Sequence, residues 1–188
     1  MSVAEISVAE EARLRVLASL DASDGQLAAT FDSIVQVAST ICVTPIALVS
    51  LVERERVVFL AGQGLELGPV PHHHSLCNHA IRTPQMMLEV ADASVDPRFA
   101  DYPLVTGAPG IRFYAGVPLV TEGEAIGTLC VIDRQPRVLN ESQRVALDCL
   151  AQVTVELFEA RRRELALRRQ LAALEPRNNG ATAMLASD

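Results

Sequence analysis

The stretch FYAGVPLVTEGEAIGTLCVI, residues 113–132, decides the architecture. Two apolar runs, Phe113 to Thr121 and Ala125 to Ile132, flank Glu122-Gly123. Two β-prone arms around a short glycine-containing turn predict an antiparallel hairpin. Upstream, Ile46 to Val52 is a nearly continuous β-prone run, as expected of a strand covered on both faces. The charged stretch Glu53-Arg54-Glu55-Arg56 turns it into a second arm, Val57 to Ala61.

Helices frame these strands. Residues 3–20 are rich in Ala, Glu, Leu and Arg, with Ile6, Leu14 and Leu17 on one face. Asp24 is positioned to cap a second helix, whose Leu27, Phe31, Ile34, Val35, Ala38 and Ile41 keep the 3.6-residue period until Pro45. Beyond the second arm, Gly62, Gly64, Gly68, Pro69 and Pro71 mark a loop. Ser75 is placed to cap a short helix from Leu76 to Arg82, ended by Thr83-Pro84, and Met86 to Val90 reads as a strand. Asp92 to Gly110 is a long loop with room for one helical turn, of a length that tends to be functional. The final helix opens at Asn140, where Gln143 completes a capping box and Leu139 supplies a staple. The order ααββαβ–loop–ββα implies an α+β domain, one antiparallel sheet with helices on its faces.

From Leu150 the apolar residues recur every seven. Leu150, Leu157 and Leu171 fall on one seam, with Glu164 its one break, and Val153, Ala160, Leu167 and Leu174 on the other. Such a repeat predicts a parallel coiled-coil homodimer, against the alternative of a lone helix packed on its own domain. The divisions expected are an N-terminal helix over 1–22, a domain over 23–163, a coiled-coil extension over 164–175 and a patternless, disordered tail over 176–188.

Composition narrows the function. The chain of 188 residues carries a net charge of −7, and all 16 of its basic residues are Arg. Nucleic acid is therefore not an expected partner, since binding needs a basic footprint and Arg161–Arg163 with Arg168 and Arg169 reads as a solvated helix face. No apolar run reaches the roughly 18 residues that span a bilayer, and no signal peptide opens the chain, so a cytoplasmic protein without membrane contact is expected. Of the four cysteines, Cys42, Cys130 and Cys149 sit in apolar surroundings as expected of buried packing thiols. Cys77 lies instead in PHHHSLCNH, residues 71–79, with all four histidines. Zinc needs three or four converging ligands, and the spacing of His74, Cys77 and His79 fits no ligand pattern, so no metal site is assigned. The histidine run is expected to be an exposed loop.

SLVERERVVFLAGQGL, SLCNHAI, DPRFADYPLVTGAPGIRFYAGVPL and GTLCVIDRQPRVLNESQ together resemble GAF domains of bacterial signalling proteins, from near Leu14 to about Arg163. The resemblance implies an antiparallel sheet of five or six strands with helices on both faces and a long C-terminal helix. One face carries a ligand pocket roofed by short helices and the long loop, and outer helices pair with a second subunit. Such domains commonly precede histidine kinases in two-component systems, or diguanylate cyclases, which makes a signalling output protein an expected partner. The pocket set so implied is Phe59, Ser75, Cys77, His79, Asp92, Tyr102, Arg112, Tyr114 and Cys130, for a small molecule of unknown identity. The cofactor is equally unknown. Arginine beside tyrosine suits an anionic or planar polar ligand, while Arg98 and Asp101 read as loop-fixing residues. Cyclic GMP is disfavoured because no NKxDE-like sequence occurs.

Cys77, in the first turn of a helix that lowers a thiol pKa, is the candidate redox residue; haem or bilin contact and simple packing are the other readings. No Ser-His-Asp arrangement, P-loop or HExxH motif occurs. The chain is thus read as a sensor and not an enzyme. A thiol-dependent reductase of the free methionine sulfoxide type and a ligand-free dimerisation module stand as alternatives.

Overall fold

In the computed structural model, residues 3–20, 27–65 and 68–184 are described, the side chains of 3–7 and 175–184 excepted. Helices α1 (Val3–Ser19) and α2 (Ala28–Cys42) precede strands β1 (Ile46–Val52) and β2 (Arg56–Gln63). A two-residue β3 (Val70–Pro71), a 3-10 turn at His72–His74, α3 (Leu76–Ala80), β4 (Leu88–Val90) and α4 (Pro103–Thr106) follow. The hairpin β5 (Phe113–Thr121) and β6 (Glu124–Asp133) leads into α5 (Glu141–Met184).

The six strands form one antiparallel sheet in the order β3-β2-β1-β6-β5-β4. β1 lies between β2 and β6 and every one of its residues is buried, which explains its unbroken apolar run. Alternation divides the side chains between two layers. Ala47, Val49, Leu51, Phe113, Ala115, Leu129 and Val131 meet α1, α2 and α5, where Phe31 and Phe158 stack with ring centroids 4.9 Å apart. Ile46, Leu48, Tyr114, Cys130 and Ile132 face the other way, under α3 and the loop from Val90 to Ile111. The α+β sheet of six strands with a long C-terminal helix is as the resemblance implies.

The hairpin holds because Glu122 and Gly123 both take positive φ, 51° and 81°. Asn140 and Gln143 cap each other reciprocally, at 3.0 and 2.9 Å, and Leu139 is buried beside them. The buried Arg13 pairs with Glu10 and donates to the Val52 carbonyl at 2.5 Å, tying α1 to β1.

Several expectations are revised. Asp24 lies outside the described residues, and α2 starts after Leu27, which makes no side-chain cap. α3 ends at Ala80, and β4 begins two residues later than Met86. The histidine run is not a plain exposed loop. His73 is exposed, but His72 and His74 are half-buried, because β3 pairs with β2 and draws the turn against the sheet. Cys149 is exposed, since the inward face of α5 is set by Leu147, Ala151, Thr154, Phe158 and Arg161 and position 149 points away. For the same reason Arg161 is buried and not part of a solvated face; it pairs with Glu164 at 2.7 Å. α5 continues through Pro176 to Met184, past the point where the apolar repeat stops, and 185–188 lie outside the described residues. Of the seam residues, Leu150 and Leu157 are half-buried, Ala160 is exposed, and Val153, Leu167 and Leu171 are exposed by 49%, 60% and 63%.

Candidate functional site

Strand register assembles the site. Thr128 faces Ser50 across one side of β6 and Pro118 across the other, and Cys130 likewise faces Leu48 and Gly116. The Ser50 and Thr128 hydroxyls share a hydrogen bond of 2.9 Å. Tyr114 folds its ring over Gly116; a Cβ on Gly116 would stand 2.1 Å from the phenol oxygen, so only glycine admits this ring position. α3 packs on β5 and β6 and closes the cluster from above. Its Ser75 cap accepts from the Cys77 amide at 3.2 Å, and Cys77 presents its thiol to the sheet.

The result is a knot of five polar groups sealed in an apolar layer. Cys77, Cys130, Tyr114, Ser50 and Thr128 are each at most 4% exposed. The Tyr114 hydroxyl makes no hydrogen bond of ordinary geometry, although it lies near enough to Cys77 to act on it. Its polar neighbours are instead the Cys77 thiol and the Thr128 hydroxyl, at less than ideal geometry.

Acidity divides within the cluster. Donation from the Cys130 thiol, aided by Ser50, Thr128 and Tyr114, outweighs burial and lowers Cys77 to about 5. Cys130 moves the other way, first because its proton is engaged with Cys77 and then because it is buried. Burial, followed by the nearby thiols, raises Tyr114. The two thiols titrate as a pair, with the first proton leaving Cys77. Cys42, behind the sheet, is pushed up by burial to about 11.

The expected pocket residues do not all converge here. Cys77, Tyr114 and Cys130 do, and Ser75 holds α3 in place. His79 stacks edge-on against Phe99 at 5.0 Å, and Tyr102 meets the same ring at 5.5 Å, so both form part of the roof. Burial, then the charges of Arg82 and Arg98, depresses the His79 pKa. Arg112 spends its guanidinium on the carbonyls of Val105 and Ile111, both at 3.0 Å, binding the loop to β5. Asp92 turns its own loop by accepting from the Ser94 amide and hydroxyl, which lower its pKa. Phe59 on β2 stands opposite Ser50 and packs at the margin of the same layer, lining a hollow of about 480 Å³ with Leu48, Gly62 and Leu65. Arg98 grips Asp96 through two bonds and covers Phe99, the loop-fixing role expected of it.

Sequence reasoning missed Ser50 and Thr128. Both sit singly in apolar runs, and a polar residue inside an otherwise apolar strand was the available signal. A larger groove, about 1040 Å³, runs between α5 and β5 along Val117, Val120, Val153, Leu157 and Ala160.

The sequence matches the GAF domain family over residues 26–157. A cyclic di-GMP phosphodiesterase of Pseudomonas aeruginosa is 49% identical over 108 residues, which are 57% of this chain and 18% of that protein. The chain therefore spans under a fifth of the length of this curated relative. The expectation that the chain is not an enzyme is corrected by this relative, which matches over part of its length and is named a cyclic di-GMP phosphodiesterase. Among solved structures, the free methionine-R-sulfoxide reductase of Neisseria meningitidis superposes with a TM-score of 0.62 at 21% identity, over 82% of this chain and 91% of that one. The PixJ GAF domain of Thermosynechococcus elongatus gives 0.60 at 16%, over 79% and 92%. At these identities the likenesses show the fold alone. Sequence, sheet order and superposition agree: the chain belongs to the GAF domain family.

Proposed function

We propose that the chain is a cytoplasmic sensory module that governs cyclic di-GMP turnover in a larger signalling protein. A small ligand, taken up under α3, shifts the packing of α5 in a homodimer, and α5 passes the shift to an output domain. The observation that carries this reading is the Tyr114 side chain, buried on the α3 side of β5 with a hydroxyl that makes no hydrogen bond of ordinary geometry, while its neighbours Phe113 and Ala115 pack in the layer of α5. One strand thus touches both the sensing and the transmitting layer. The relative named as a cyclic di-GMP phosphodiesterase supports the output, since most of its length lies outside the match. No helix among the described residues is long and apolar enough to cross a membrane.

Native mass spectrometry of the full chain purified from its own host, under reducing conditions and beside an absorption spectrum, tests the ligand. A bound mass that is lost on Tyr114→Ala supports the reading. A bare polypeptide mass in every preparation overturns it.

A further inference from the structure

We infer that Cys77 and Cys130 form a dithiol that a hydroperoxide oxidises to an intramolecular disulfide, bolting α3 to the sheet. The two residues are 53 positions apart in sequence (130 − 77), yet their thiols share one sealed cluster on the same sheet face. Neither is a packing thiol in purely apolar surroundings, because Ser50, Thr128 and Tyr114 bring three hydroxyls to them. Those hydroxyls and the Cys130 thiol favour the thiolate at Cys77, and the thiolate is the nucleophilic form of cysteine. The remaining cysteines lack this setting. Cys42 is buried on the opposite face and held protonated, and Cys149 stands alone on the exterior of α5.

The chemistry closes in two steps. The Cys77 thiolate attacks the outer oxygen of the hydroperoxide; the S–O bond forms, the O–O bond breaks, and the departing alkoxide or hydroxide takes a proton from solvent. The Cys130 sulfur then attacks the Cys77 sulfenic acid. The S–S bond forms, the S–O bond breaks, and the Cys130 proton leaves with the hydroxide as water. The two thiols give up two electrons and the hydroperoxide accepts them. The cluster is covered by α3, only five residues long and far below the length at which a helix holds on its own. Opening of that turn admits the oxidant, so the reaction runs more slowly than oxidation of Cys149. A disulfide at this position spans α3 and a central strand and resists reopening of the cover.

Hydrogen peroxide applied to the full chain carrying Cys149→Ser, followed by non-reducing peptide mapping, tests the inference. The expected product has lost two hydrogens, contains a Cys77–Cys130 linked peptide, leaves Cys42 reduced and reverts with dithiothreitol. In a further Cys130→Ser variant, Cys77 halts as a sulfenic acid that dimedone traps. The same mapping on the unmodified chain covers the case in which a variant does not fold. Cys77 and Cys130 remaining reduced, or Cys77 over-oxidised beside a free Cys130, overturns the inference. Ligand binding is measured under reductant, so its outcome is independent of this one.

Discussion

The Glu89 carboxylate on edge strand β4 accepts from the Leu139 backbone amide and from the Arg144 guanidinium, each at 2.9 Å. One half-buried side chain thus fixes the start of α5 to the margin of the sheet, 50 and 55 residues away in sequence. The capping box of Asn140 and Gln143 shapes the helix start, and Glu89 decides where it sits.

Glu89→Ala is therefore expected to loosen the first turn of α5 before the rest of the fold. Hydrogen exchange at residues 139–144 should rise, and the melting temperature should fall. The sheet amides of β1 and β6 should keep their protection, because neither strand depends on this contact.

Gly116→Ala tests the close approach of Tyr114. The added methyl occupies the place of the phenol ring, so the ring must leave its position at a cost of about 1–3 kcal/mol. Denaturant titration reads the cost. Tyrosine emission reads the displacement, since the chain has no Trp and only two Tyr.

The acidity of Cys77 gives stability a pH dependence of defined sign. Its folded pKa, about 5, lies below the ordinary thiol value of 9.0. Between these limits the unfolded chain binds the extra proton, so stability rises with pH, and the contribution is lost as pH falls through about 5. Cys42, Cys130 and Tyr114 are raised and act in the opposite sense: stability declines as pH climbs above their unfolded values. Thermal melts across this range should show the rise, and Cys77→Ala should flatten it while leaving the alkaline decline.

The exposed stripe on α5 bears on assembly. Leu167 and Leu171 touch no core and are 60% and 63% exposed, so Leu167→Glu with Leu171→Glu should leave folding intact. If these residues form a dimer seam, light scattering should report a dimer for the native chain and a monomer for the double variant.

Much of the fold was legible because period and turn chemistry agree. Phe113 to Ile132 announces its hairpin through Glu122-Gly123, and Asn140 with Gln143 announces α5 through a local cap. Elements made by distant pairing were not legible: Val70–Pro71 is a strand only because Arg56 and Val57 lie beside it. The site divides along the same line. Cys77 and Tyr114 stand out by residue type and local setting, whereas Ser50 and Thr128 meet through a register 78 residues apart. Heptad spacing was visible along α5, yet its inward face is offset from that stripe, and this offset exposes Cys149 and buries Arg161.

The central claim is that a change beneath α3 is felt at α5. Hydrogen exchange measured by mass spectrometry on the native chain and on Gly116→Ala tests it most directly, since the substitution disturbs Tyr114 without touching α5. Faster exchange in residues 147–158, the helix segment packed on the sheet, is the predicted result. A change confined to α3 and residues 92–112, with α5 unaltered, would contradict it.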